Sequence, residues 1–223
     1  MKLALNTIHL SEALELLAKL PSASIDLPLS DPDYGVGKEY DFGVISNNPL
    51  DHWRLFRPVY EELRRVTKPG HPIALFQART YVKWFPTWFG QHDILSLRTG
   101  LGGGGMNVMH DCIVLQTREQ TKYELSKSAT HWLDSRFGRH DNFDGIREMR
   151  SFIPFKPVDG MRQLVRMLSN PGGTILDPFA CSASTGVACI LERRNYILGE
   201  WHPPYYEIAR KRLAKYHERK AWE

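Results

Sequence analysis

The sequence predicts an α/β domain on two observations. Short apolar runs of strand length alternate with segments of helical spacing from end to end, and two of those runs end in turns of small, polar and proline residues. The 223 residues are 42% hydrophobic and 24% charged. That composition suits one compact domain and excludes a fibrous or mostly disordered chain. There is no internal repeat, long linker or low-complexity tract. No apolar run reaches the roughly 20 residues that cross a bilayer, and Met1 to Leu10 lacks a signal-like apolar core, so a soluble cytoplasmic protein is expected. Cys112, Cys181 and Cys189 form no C-x-x-C pair and are expected as thiols. The nine histidines show no zinc-like spacing, and no metal is predicted. A formal charge of +4 permits a polyanionic partner without requiring one.

Taken in order, the first helix is expected to open at Ser11 as N-cap, to carry Leu14, Leu17 and Leu20 on one face, and to stop at Pro21. A strand follows over Ile25 to Ser30. Asn48-Pro49 opens a second helix, since Asn caps and Pro suits the first turn, and Trp53, Phe56, Tyr60 and Leu63 form its core stripe. Lys68-Pro69-Gly70 ends it ahead of a strand from Ile73 to Phe76. Two more strands, Ile94 to Leu97 and Cys112 to Leu115, flank Gly100 to Gly105. That run reads as a hinge loop in preference to a phosphate cradle, because no Lys-Ser/Thr ending follows it. Periodicity is lost from Arg118 to Ile153. Order returns with a helix carrying Met161, Leu164, Val165 and Leu168, a strand Thr174 to Leu176, a short helix after Thr185, and a strand Tyr196 to Leu198. A final helix from Tyr205 has Arg210, Lys211, Arg212, Lys215, Arg219 and Lys220 on an outside read as solvated.

In an open parallel sheet ligands collect at the carboxyl ends of strands. The first unusual end is Asp31-Pro32-Asp33-Tyr34, which presents a carboxylate, a proline carbonyl and an aromatic ring on one turn. The second runs from Asp177 through Pro178, Phe179, Ala180, Cys181, Ser182, Ala183 and Ser184 to Thr185 and Gly186, a small-residue turn whose N–H groups can approach a ligand closely. Beyond the next strand stands Glu200, where a carboxylate can take two hydrogen bonds from a ribose diol.

These features, in this order, resemble the beta group of DNA amino-methyltransferases, which transfer a methyl group from S-adenosylmethionine to adenine N6 or cytosine N4. The resemblance spans most of the chain. Ile8 to Leu14 is similar to the family's first strand and acidic turn, Asp31 to Tyr34 to its catalytic motif, Phe155-Lys156-Pro157 to its Lys-Pro element, and Asn170 to Gly186 to its Asp-Pro-Phe loop. It implies a Rossmann-like methyltransferase fold with a largely parallel sheet, helices on both faces and circularly permuted motif order. The whole chain would be one domain, with 118–153 a small target-recognition excursion.

By the same resemblance, Asp31, Pro32 and Tyr34 are catalytic. Glu12, Lys156, Asp177, Phe179, Cys181, Ser182, Ala183, Thr185 and Glu200 surround S-adenosylmethionine, and Arg136, Arg139, Arg147 and Arg150 contact nucleic acid. Double-stranded DNA is the implied partner, in a bacterial or phage-infected cell, with a cognate restriction endonuclease left open. The Asp start and Tyr end of the turn favour adenine N6, with cytosine N4 the alternative. Asp33 stands where the family has proline, Cys181 and Ala183 where it has glycine, His202 where an acidic residue often follows Glu200, and Pro28 in a strand expected to be central. A side chain at either glycine position is expected to force a different backbone or to intrude on the ligand. These departures motivate a further alternative, a DNA-binding or regulatory protein that keeps the fold without turnover.

Overall fold

The computed structural model describes residues 3–34, 39–40, 43–44, 48–90, 92–100, 108–115, 132–136 and 156–220. In chain order the elements are β1 (Thr7–Leu10), α1 (Ala13–Ala18), β2 (Leu27–Ser30), β3 (Glu39–Tyr40), β4 (Gly43–Val44), α2 (Pro49–Val66) and β5 (Ile73–Gln77). A 3₁₀ turn (Arg79–Trp84) and α3 (Phe85–Phe89) follow. The remainder comprises β6 (His92–Gly100), β7 (Val108–Leu115), β8 (Trp132–Arg136), α4 (Val158–Leu168), β9 (Thr174–Asp177), α5 (Ser184–Glu192), β10 (Asn195–Glu200) and α6 (Pro203–Lys220). One sheet of eight strands has the order β1-β10-β9-β2-β5-β7-β6-β8, and β3 and β4 form a separate antiparallel pair. From β1 to β5 the neighbours are all parallel. β7 alone runs against both of its neighbours, and β8 is again parallel to β6. This is the largely parallel α/β sheet that the sequence predicts.

Side chains alternate between the two faces along each strand, so an apolar run without polar interruption must be covered on both sides. Ala74 and Phe76 of β5, Ile175 of β9 and Leu198 of β10 pack with α4, α5 and α6 through residues such as Leu164, Val187 and Leu213. Their sequence neighbours Ile73, Leu75, Leu176 and Ile197 pack on the other face with α1, α2 and α3, through Leu16, Leu63 and Phe85. Helices on both faces follow directly from this alternation.

The element ends follow local chemistry. Asn48 caps α2 by accepting a hydrogen bond from the Asp51 N–H at 2.8 Å, and Gly70 takes a positive φ of 75° in the turn before β5. The Asp26 carboxylate, just ahead of β2, accepts from Lys68 Nζ at 2.8 Å and from the Thr174 N–H at 2.9 Å. Burial opposes its charge, but those hydrogen bonds prevail and hold its pKa below the usual value. Pro28 does lie in a central strand. β2 pairs with β9 through Leu27 and Pro28 and with β5 through Leu29 and Ser30, so the missing N–H falls where the strand changes partner.

Four expectations are corrected. Leu17 and Leu20 are buried as expected, but the stripe continues through Ala13 and Leu16, which leaves Leu14 43% exposed. Glu12 is the N-cap residue in place of Ser11, whose hydroxyl donates to the Glu12 carbonyl at 3.1 Å. Ile25 makes an isolated bridge to Thr67 and β2 begins only at Leu27. Arg212 is only 3% exposed, on a helix whose basic residues were all read as solvated. Among the described residues no helix is long and apolar enough to cross a membrane.

Gly199 marks the closest approach between β10 and the turn after β9. A Cβ there would lie 2.8 Å from Leu16 Cδ2 and 3.3 Å from the Pro178 carbonyl oxygen. Gly199→Ala is therefore expected to lower unfolding free energy by about 1–3 kcal/mol, measured by urea denaturation.

Candidate active site at the carboxyl ends of the strands

β2 delivers the first half of the site. Its last residue, Ser30, is fully buried, and the chain then turns through Asp31, Pro32, Asp33 and Tyr34. The Tyr34 hydroxyl donates to Asp31 Oδ1 at 2.5 Å. Lys156, ahead of α4, donates to Asp31 Oδ2 at 2.5 Å and to the Tyr34 hydroxyl oxygen at 2.9 Å. The Lys156 side chain is 5% exposed against 24% for Asp31. Its ammonium also lies 5.3 Å from the centroid of the Tyr34 ring and 4.8 Å from that of Phe76. A buried ammonium needs such compensation: a carboxylate, a hydroxyl and two aromatic faces. Each Asp31 oxygen then holds one donor, and a carboxylate has about four lone-pair sites. Capacity remains for further N–H donors.

The third turn residue, Asp33, faces a different group. Its charge bears on His52 and Tyr81, raising the pKa of each. His52 is 4% exposed, stacks on Phe56 at 5.8 Å, and places Nε2 3.2 Å from Gln77 Oε1 at the end of β5. Burial is the largest influence on His52, so its pKa lies below the usual value despite Gln77 and Asp33, and the ring is neutral at pH 7.

β9 delivers the second half. Asp177 is 2% exposed and accepts three hydrogen bonds: from Ser30 Oγ at 2.7 Å, from Thr185 Oγ1 at 2.6 Å and from the Phe179 N–H at 3.1 Å. Burial raises its pKa to about 6 against the pull of those donors. The loop then closes on itself and on β10, with the Ala183 N–H donating to the Ala180 carbonyl at 2.7 Å and the Ala180 N–H to the Gly199 carbonyl at 2.8 Å. Cys181 and Ala183 stand at φ 46° and 59°. Both are left-handed backbone, a conformation that glycine adopts without strain and a side chain does not. Burial, followed by the charges of Glu200 and Asp31, pushes the Cys181 thiol above its ordinary pKa.

Glu200 Oε2 accepts from the Cys181 N–H at 2.9 Å and Oε1 from the His202 N–H at 2.8 Å. Burial raises its pKa. The Ser11 N–H donates to the Glu200 carbonyl at 3.0 Å, which brings the exposed Glu12 to the same sheet edge. Leu10, in register with Glu200, and Trp201, next in the chain, are 52% and 41% exposed. They are exposed apolar side chains on the rim of the sheet edge that carries Glu200.

Most of the expected site residues therefore share one edge. The Ser182 and Thr185 side chains are occupied by the fold: Thr185 by Asp177, and Ser182 by Arg212, whose Nη1 donates to the Ser182 Oγ at 3.3 Å and to the Ser182 carbonyl at 2.8 Å. Phe179 packs toward Phe56 with ring centroids 6.4 Å apart. Lys156, expected beside the cofactor loop, bonds the Asp31 turn. Arg136 ends β8 in register with Gly100. Arg139, Arg147 and Arg150, Gly102 to Gly105 and most of 118–153 lie outside the described residues.

Ser30, Gln77, Trp201 and Arg212 were not anticipated. The first two had a signal, each being the polar residue that closes an apolar strand. Arg212 had none, since nothing in its sequence neighbourhood sets it apart from the other cations of α6.

Comparison with known proteins agrees with this layout. The family model for the N6/N4 DNA methylases matches residues 110–211, which take in the loop after β9 and Glu200 but not the Asp31 turn. Two curated relatives extend the likeness over nearly the whole chain. The type II methyltransferase M.HpaI of Haemophilus parainfluenzae is 24% identical, over 91% of this chain and 72% of its own length. The DNA adenine methyltransferase YhdJ of Escherichia coli is 24% identical, over 93% and 82%. Among solved structures, the cytosine-N4-specific PvuII DNA methyltransferase superposes with a TM-score of 0.71 at 15% identity, covering 97% of this chain and 92% of that one. The M1.HpyAVI–SAM complex superposes at 0.66 with 16% identity, covering 93% and 98%.

The strained loop can be tested directly. Cys181→Val, a β-branched residue at a left-handed position, is expected to lose about 1–3 kcal/mol of stability. Cys181→Gly is expected to be at least as stable as the parent. Urea denaturation of the three proteins gives the order.

Proposed function

From its likeness to the N6/N4 DNA methylases, we propose that the chain transfers a methyl group from S-adenosylmethionine to the exocyclic amino group of a DNA base, with adenine N6 the favoured target. The single observation that carries this is the juxtaposition of the Asp31 turn with the loop after β9, joined through the Ser30–Asp177 hydrogen bond at 2.7 Å. Asp31 and Tyr34 as the ends of the turn support adenine over cytosine N4. The near-glycine backbone at Cys181 and Ala183 favours an active enzyme over a silent homologue.

The residues of the second half fit the cofactor. The left-handed loop keeps its backbone close to the ligand side, and Glu200 retains lone pairs beyond the two it commits to Cys181 and His202. Glu200 would hold the ribose, the loop after Asp177 the methionine part, and the Leu10–Trp201 rim the purine. When bound, S-adenosylmethionine supplies an electrophilic methyl group on a sulfonium.

At the other half, an exocyclic amino group is a poor nucleophile because its lone pair is delocalised into the ring. Acceptors that hold both of its N–H groups turn that lone pair out of the ring plane. Asp31 and the Pro32 carbonyl are the acceptors, and Lys156 and Tyr34 hold the Asp31 carboxylate in place. Orientation of this kind is worth on the order of 7–11 kcal/mol, and no covalent enzyme intermediate is needed. A base in duplex DNA reaches the turn only when flipped out, at a cost of a few kcal/mol. Stacking on the Tyr34 ring offsets roughly 1–3 kcal/mol of it.

The test is incubation of the purified protein with unmethylated DNA and isotope-labelled S-adenosylmethionine, followed by mass spectrometry of the nucleosides. Labelled N6-methyladenosine is expected. Labelled N4-methylcytidine would change the base and keep the mechanism, and absence of both would overturn the reading. Asp31→Ala is expected to reduce transfer below detection while cofactor affinity, measured by calorimetry, changes less than about tenfold. Equal loss of both would remove Asp31 from its catalytic role.

A further inference from the structure

Gln77 presents a buried polar atom that the mechanism above does not use. The residue is 2% exposed and ends β5, at the carboxyl edge where the site lies. Its Oε1 accepts from His52 Nε2, while its Nε2 has no hydrogen-bond partner among the described residues. An unmet buried amide donor costs roughly 1–3 kcal/mol, so it calls for a partner that arrives with a ligand. Its position points to which ligand. Ser30, the last residue of β2, is in register with Leu75 on the adjacent strand, so Gln77 lies two residues further toward the edge at which the Asp31 turn begins. The residue before it, Phe76, faces the Lys156 ammonium from the opposite side of the strand, and on the side of Gln77 the link to the turn is Asp33, whose charge bears on His52. His52, which orients the amide, is itself stacked between Phe56 and Tyr81.

Resting on the methyl-transfer reading, we infer that Gln77 recognises the flipped base, with its Nε2 donating to the unprotonated ring nitrogen beside the amino-bearing carbon. Adenine and cytosine both have an acceptor at that ring position. In thymine and guanine the corresponding nitrogen carries a proton, and two donors would face each other. With Asp31 and Pro32 accepting from the amino group, Gln77 supplies the complementary donor, and the three together select amino bases over keto bases. Gln77 is a specificity residue. A donor on the ring nitrogen gains nothing as positive charge develops on the amino group, so its effect belongs to binding.

The test begins by mapping the methylated site by sequencing DNA treated with the wild-type protein, and then uses a synthetic duplex of that site. The target base carries either its natural ring nitrogen or a C–H in its place, as 1-deazaadenine, or 3-deazacytosine if cytosine is the base modified. For the wild-type protein the deaza duplex is expected to lower kcat/KM about 10- to 100-fold, mainly through KM. Gln77→Leu is expected to show a similar loss on the natural duplex and to be indifferent to the deaza replacement. Gln77→Glu keeps an acceptor for His52 and controls for folding. It is expected to melt near the wild type, to lose at least tenfold on the natural base, and to do relatively better on the deaza base. Retention of the full deaza penalty in Gln77→Leu, or unchanged KM in both variants, would overturn the assignment. A wild-type protein that transfers no methyl group to any DNA overturns the methyl-transfer reading itself, a result distinct from an active enzyme that is insensitive to position 77.

Discussion

The buried carboxylate of Asp177 is the contact on which the site depends. One oxygen accepts from Ser30, the last residue of β2, and the other from Thr185 in the first turn of α5. The strand that bears the catalytic turn is thereby tied to the helix that closes the second loop. Burial lifts the pKa of this group to about 6, and the three donors around it oppose that rise. An apolar residue at 177 would leave two buried hydroxyls and a backbone N–H without their acceptor, and the two strand ends would lose their common reference.

Around that tie the site spends stability for geometry. Cys181 and Ala183 hold left-handed backbone without the freedom of glycine, a local cost of about 1–2 kcal/mol per residue. It is sustained from three sides. Glu200 accepts the Cys181 N–H, Gly199 accepts the Ala180 N–H, and Arg212 reaches across from α6 to the Ser182 carbonyl. A loop so over-determined keeps its N–H groups directed without the glycines that would ordinarily permit the conformation.

Most of the fold was legible in the sequence because its signals are local. Asn48-Pro49, Lys68-Pro69-Gly70 and the continuous apolar strands each depend on a few neighbouring residues, and the two strand-end motifs stand in single turns. What was not legible depends on partners far apart in the chain. Ser30 and Asp177 are 147 residues apart, and Lys156 and Asp31 are 125 apart. Arg212 sits among exposed cations of α6, and only the packing of that helix against the loop after β9 turns this one inward. The misplaced face of α1 has a simpler origin. Leu14, Leu17 and Leu20 and Ala13, Leu16, Leu17 and Leu20 are both helical stripes, and only the position of the strands behind them selects the second.

The distribution of charge at this edge bears on how nucleic acid could approach it. Asp31, Asp33, Asp177 and Glu200 are gathered there with Lys156 as their nearest cation, and Lys156 is itself committed to Asp31. Such an edge suits a cationic ligand such as a sulfonium and repels phosphate. A DNA backbone laid against it would be disfavoured, whereas a single neutral base extended into it is not. On the proposed reading, contacts to phosphates come from elsewhere on the surface, and among the described residues α6 carries the exposed cations Arg210, Lys211 and Lys215. Separation of the two tasks follows from the chemistry. On the proposed reading, a site that holds an amino group with carboxylate and carbonyl oxygens does not also attract a polyanion, and the base has to leave the helix to meet it.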